Sequence, residues 1–210
     1  MSDCLKHAVS VFLPVLILSG CGNSNDASSS GLLSENESPV VAGNDGPEGD
    51  SALHVNNTRY PLDSALGDIW GQRGEHFLIE YTLTDGNFSL ETVVLDGQSH
   101  QVLVPALATA ILHVDVYSAG RSFEYESYGF VPAGGGVNVA AGVGYFSNAY
   151  VGVDTDDDGR VSDQEQIDVI EGTVNFLGSP PDISLNFSMT LINGQQVTGD
   201  YTGLFDFTAR

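Results

Sequence analysis

The sequence predicts an all-β fold, an antiparallel β-sandwich or barrel of about ten to twelve strands. Three observations carry this expectation. Apolar and polar residues alternate at a period of two, the alternation stops at turn dipeptides, and nothing from 51 to 153 repeats at the helical period of about 3.6. Phe77, Ile79, Tyr81 and Leu83 point to one face while His76, Glu80 and Thr82 point to the other, and the pattern ends at Asp85-Gly86. That is a half-buried strand entering a hairpin turn. The same grammar recurs in Phe88 to Leu95 before Asp96-Gly97, and in Ala108 to Ser118 before Ala119-Gly120. Phe123 to Val131 follows, closed by Pro132 and the glycines 134 to 136, and puts Glu124 and Glu126 on one strand face opposite Phe123 and Tyr125. Ile183, Leu185, Phe187, Met189 and Leu191 then alternate up to Asn193-Gly194, after which Val197 to Thr208 reads as the returning strand.

Ahead of this domain the chain changes character twice. Lys6 and His7 precede an apolar run from Ala8 to Leu18, which gives way to Ser19, Gly20 and Cys21. Eleven such residues with Pro14 among them are too few to span a bilayer, which takes about 20. Residues 1 to 20 therefore read as a secretory signal. From Gly22 to Asp50 the chain is rich in Ser, Asn, Gly, Asp and Glu with no sustained period, the composition of a flexible acidic tether reaching roughly 30 Å. Residues 51 to 210 remain, and about 160 residues suit one domain.

The tetrapeptide Leu18-Ser19-Gly20-Cys21 resembles the lipobox of bacterial lipoproteins. The resemblance implies that Cys21 is lipidated and becomes the first residue of the mature protein. With Gly22 after it, where inner-membrane retention usually has Asp, it also implies sorting to the outer membrane. Cys4 then leaves with the signal, and no disulfide remains to hold the domain. The closing segment around Asn193-Gly194 and Thr198 to Gly203 is similar to the C-terminal hairpin of exported bacterial lipoproteins with all-β domains.

The formal net charge is −22, and loss of residues 1 to 20 removes one acid, Asp3, and one base, Lys6, so it does not change. The bases left are Arg59, Arg73, Arg121, Arg160 and Arg210. Such a chain repels nucleic acid and other polyanions and favours cations.

One stretch has chemistry in its spacing. Residues 154 to 165, DTDDDGRVSDQE, place oxygen donors at regular intervals around a glycine. A calcium ion takes about six to eight oxygens at about 2.3 to 2.6 Å, and such spacing wraps them around one centre. The stretch resembles the twelve-residue EF-hand loop. The resemblance implies that Asp154, Asp156 and Asp158 give side-chain oxygens and Arg160 its carbonyl. Ser162 would act directly or through water, Glu165 would close the site with two oxygens, Gly159 would permit the sharp turn, and Val161 would pin the loop. The flanks depart from the family. Tyr150, Val151 and Val153 favour a strand, and after the loop only a short helical turn between Ser162 and Ile170 is expected. The expectation is a structural Ca²⁺ site joining two strands, not a helix-opening sensor.

Other chemistry is weaker. Gln166 to Glu171 resembles the E-I-D-x-x-E signature of laminarinase-like glycoside hydrolases, but Gln166 stands at the nucleophile position and cannot serve as one. His54, His76, His100 and His113 lack ligand spacing, and there is no G-x-S-x-G or phosphate loop. With no catalytic constellation, the expected function is a membrane-anchored, calcium-binding module without catalysis, serving binding, adhesion or envelope structure. Its expected partners are a surface polysaccharide or an envelope protein, and the rival class is a carbohydrate-active enzyme of β-sandwich fold.

Overall fold

The computed structural model describes residues 51 to 209 apart from 96, 97, 134 to 138, 141, 180 and 181. The signal, Cys21, the tether and the Asp96-Gly97 turn lie outside the described residues. The all-β expectation holds: the described residues form thirteen strands and no helix. They are β1 (Ala52–Val55), β2 (Thr58–Pro61), β3 (Ser64–Arg73), β4 (His76–Thr84), β5 (Asn87–Leu95), β6 (Gln98–Ala106) and β7 (Ala110–Ala119). After them come β8 (Ser127–Phe130), β9 (Tyr145–Val153), β10 (Gln166–Ser179), β11 (Asp182–Leu191), β12 (Gln196–Thr202) and β13 (Asp206–Ala209). The count exceeds twelve because β1, β2, β8 and β13 have four residues each, too few for alternation to mark them.

Eleven strands form one sheet in the order β13-β3-β4-β7-β9-β8-β10-β11-β12-β1-β2, and β5 pairs only with β6. The sheet is mixed: β13 runs parallel to β3 and β8 parallel to β9. Its two ends are covalently joined. Leu62 and Asp63 connect β2 at one edge to β3 near the other, and residues 203 to 205 connect β12 to β13. Links of two or three residues span roughly 10 to 14 Å, so the edges must come round to meet. The sheet is therefore curled like an open barrel, not split into two stacked layers. Backbone bonds carry each ladder into the link, from Leu62 N–H to the Ser51 carbonyl (3.1 Å) beyond β1–β2 and from Asp63 N–H to the Thr84 carbonyl (2.9 Å) beyond β3–β4. Register shifts at Ile69/Gly71, His113/Asp115 and Val169/Glu171 bend the sheet, as β-bulges do.

The curl encloses one core. Tyr81 of β4, fully buried, has its ring 4.9 Å from Phe176 of β10, 5.7 Å from Phe123 and 5.6 Å from Phe205. Strands four places apart in the sheet thus touch across its interior. Leu53, Leu83, Leu112, Val114, Val116, Phe146, Leu185, Met189 and Leu191 complete it from both halves.

Three expectations are corrected. Asp85-Gly86 does not join paired strands, since β4 pairs with β7 and not with β5. Its carboxylate instead accepts the N–H groups of Thr109 (2.8 Å) and Ala110 (2.9 Å) and the Thr109 hydroxyl, clamping the base of the β5–β6 hairpin to the start of β7. Phe123 to Glu126 is not strand, because local side chains claim its backbone: Glu124 N–H donates to the Ser118 hydroxyl and the Glu124 carbonyl accepts from the Tyr128 hydroxyl. The β8–β10 ladder therefore begins only at the Glu126 carbonyl, which accepts from Phe176 N–H. Strand Val197 to Thr208 is broken at residues 203 to 205, where the chain crosses the seam to pair with β3.

Candidate metal centre

The loop 154 to 165 joins β9 to β10, which pair with each other through Gly152 with Gln166, Val151 with Ile167 and Tyr150 with Asp168. It is a hairpin loop, as the β-favouring flank of Tyr150, Val151 and Val153 implies. The expected helical turn after Ser162 is only a turn at 163 to 165, and β10 begins at Gln166. Two anchors hold the loop on the sheet. Asp154 N–H donates to the Thr109 carbonyl (2.9 Å), and the Val161 side chain lies where a Cβ on Gly152 would be. Gly152 is thus the slot into which the loop's apolar residue fits.

Within the loop the backbone turns through left-handed conformations at Asp157 (φ 60°) and Gly159 (φ 80°), the second at the residue type that takes it without strain. The turns aim N–H groups at carboxylates. Gly159 N–H donates to Asp154 Oδ2 (2.8 Å), Arg160 N–H to Asp158 Oδ1 (2.9 Å) and Asp158 N–H to Asp156 Oδ1 (3.3 Å). One carboxylate oxygen each from Asp154, Asp156 and Asp158 then lies within 4.8 Å of the others. Among the described residues this is the one such group of three.

Glu165 sits at the far end of the loop with all four lone-pair directions used. Its Oε1 accepts Thr155 N–H (2.6 Å) and hydroxyl (2.8 Å), and its Oε2 accepts Ser162 N–H (2.8 Å) and hydroxyl (2.9 Å). The Ser162 and Thr155 N–H groups, with the Thr155 hydroxyl, hold its pKa down at about 2. Asp156 is shifted the other way. The Asp158 N–H pulls its pKa down, but the charges of Asp158, Glu165 and Asp154, with some desolvation, outweigh this and raise it. Four carboxylates thus share a field that a cation would relieve.

The sequence-predicted ligands divide into two groups. Asp154, Asp156 and Asp158 converge, while Ser162 and Glu165 are bonded to each other and the Arg160 side chain is exposed. The residues fit a cation on one further ground: Asp154 Oδ1 is buried and has no hydrogen-bond partner. A buried carboxylate oxygen left unpartnered is costly, and a hard cation is the partner it accepts. Thr155 and Glu165 also wall a cleft of about 200 Å³ floored by Val55, Val151, Ile167 and Leu191. It is smaller than the roughly 300 Å³ at which ligand pockets begin.

A second cluster escaped the sequence reading. Asp68, Glu80 and Asp115 stand side by side across β3, β4 and β7, on the face turned away from the core. Asp115 accepts Asn148 Nδ2 (3.0 Å) and lies 3.1 Å from His113 Nε2, whose other ring nitrogen is 3.1 Å from the Thr82 hydroxyl. Thr208 bonds Asp68. Burial, then the charge of Asp115, raise the Glu80 pKa above its ordinary value, with Trp70 and His113 offsetting part. Only the strand register could have revealed this row. Of the weaker candidates, Asp168 and Glu171 are exposed on β10.

Comparison with protein families, with characterised proteins and with solved structures finds no match.

Proposed function

We propose that this chain is a calcium-binding, lipid-anchored module of the bacterial outer membrane that acts without catalysis, in binding, adhesion or envelope structure. The observation that carries the calcium reading is the convergence of Asp154, Asp156 and Asp158 around a buried, unpartnered carboxylate oxygen. The ion would draw on those three residues first, with Glu165, Ser162 and the Arg160 carbonyl completing the shell, and would lock β9 to β10. Anchoring rests on Leu18 to Cys21, and no described helix is long and apolar enough to cross a membrane. For the rival, carbohydrate-active reading, the carboxylate pair on offer is Glu80 and Asp115, cross-strand neighbours on β4 and β7. Asp115 already spends both oxygens on His113 and Asn148, which suits a structural cluster better than a nucleophile.

The test is a pull-down of outer-membrane proteins and surface polysaccharides on the immobilised protein, run in calcium and in chelator. Calcium-dependent capture of one component supports the reading. Hydrolysis of an offered polysaccharide, abolished by Glu80→Gln, would replace it with the enzymatic one.

A further inference from the structure

We propose that the β5–β6 hairpin is a self-association arm whose occupant is the same hairpin of a second copy, added edge to edge along β6. The hairpin stands apart from the rest of the molecule. It is a sheet of its own, and none of its described side chains joins the core cluster. Leu90 is 41% and Val94 68% exposed on one face, and Glu91 is exposed on the other, while Phe88 is buried at the base. An isolated two-stranded hairpin is marginal in water, and further strands give it stability.

Its edges contrast with those of the main sheet. That sheet ends in β2 and β13, four residues each, and β2 carries Arg59; shortness and charge both blunt an edge against pairing. The hairpin instead offers two edges of nine residues each. Charge chooses between them. Glu91 sits at the middle of β5, and a two-fold axis there would set it against its own copy. Strand β6, QSHQVLVPA, has no Asp, Glu, Lys or Arg. Pro105 lacks an N–H, so the new ladder would run from Gln98 to Val104 and centre on Gln101.

Charge also makes a second copy the fitting occupant. Two chains of net charge −22 repel over most of their surfaces, and β6 is a long edge free of that charge. An isologous antiparallel pairing lays each hairpin base beside the partner's tip, so the acidic bodies lie at opposite ends of the joint sheet. Nine residues of strand extend about 30 Å, several times the Debye length of about 8 Å at physiological salt. The repulsion is screened while the ladder forms. A basic partner would find its complement on the acidic body instead.

Sedimentation equilibrium of the mature chain, residues 21 to 210 carrying Cys21→Ser, which keeps the apolar signal and the acyl chains out of the measurement, tests this from micromolar to sub-millimolar concentration. A reversible monomer–dimer equilibrium is expected. Gln101→Glu and Gln101→Lys should each move its midpoint to several-fold higher concentration without changing the melting temperature, since Gln101 is exposed. Mixing the two variants should restore dimer, now heteromeric, and Glu91→Gln should leave the midpoint in place. A chain monomeric at every concentration, a dimer indifferent to both Gln101 variants, or no recovery on mixing would overturn the proposal. So would a monomer that floats with phosphatidylethanolamine and phosphatidylglycerol vesicles through this hairpin, which would make lipid its occupant.

Discussion

Withdrawing calcium should lower the melting temperature by about 5 to 11 °C relative to ~10 mM calcium. A site of the extracellular class has a Kd near ~0.1 mM, and an ion that binds the native state alone then contributes RT ln(1 + 100), about 2.7 kcal/mol. A domain of this size shifts by roughly 2 to 4 °C per kcal/mol. The structure supplies a source of matching size, since leaving Asp154 Oδ1 buried and unpartnered costs about 1 to 3 kcal/mol that the ion would offset. Scanning calorimetry in chelator and in calcium, with titration calorimetry, measures both quantities. Asp154→Asn should weaken binding most, since it removes the charge at the buried, unpartnered oxygen. Glu165→Gln should weaken it less, because the Glu165 oxygens are already bonded to Thr155 and Ser162. The Glu165 change also loosens the ion-free loop, because Thr155 and Ser162 lose an ionised acceptor, so the calcium increment is the readout and not the melting temperature itself. Asp156→Asn should reduce the increment while keeping the Glu165 bonds, Asp163→Asn should leave it unchanged, and magnesium should substitute poorly. Equal melting in chelator and in calcium, with no heat of binding, would refute the reasoning and leave an acidic turn.

Mass spectrometry of the membrane-extracted protein should find acylated Cys21 as its first residue, and a Cys21→Ser variant should leave the membrane fraction; cleavage elsewhere would remove the anchor. Glu80 titrates above its ordinary value of 4.5, so the native state holds the extra proton and stability falls as pH rises through the window between the two values. Glu80→Gln should therefore raise the melting temperature at pH 7 and lose that advantage below about pH 4; equal gains at both pH values would show that charge is not the cause. The Tyr81 hydroxyl is buried without a partner and its pKa is pushed well above the ordinary range by burial, so Tyr81→Phe should stabilise the domain by about 1 kcal/mol or more in urea unfolding. A loss of stability would mean that the hydroxyl is bonded in solution.

The legible parts of this protein are those set by neighbours along the chain. Alternation in Phe77 to Leu83 and in Ile183 to Leu191 marks β4 and β11 because a strand sends successive side chains to opposite faces whatever it pairs with. The carboxylates of Asp154, Asp156 and Asp158 could be brought together on paper because all three lie on one short loop whose turns the intervening residues dictate. The same logic misled at Asp85-Gly86, where the dipeptide makes a turn but the partner of β4 is β7, some 25 residues further on. Pairing depends on which edges meet once the chain has collapsed, and local sequence does not carry that. Only the tertiary structure decided that one sheet curls until Leu62–Asp63 bridges its ends. It alone set Asp68, Glu80 and Asp115 in one row and left β5 and β6 outside the core. Each depends on register between residues far apart in sequence, where a one-residue slip turns every side chain to the other face.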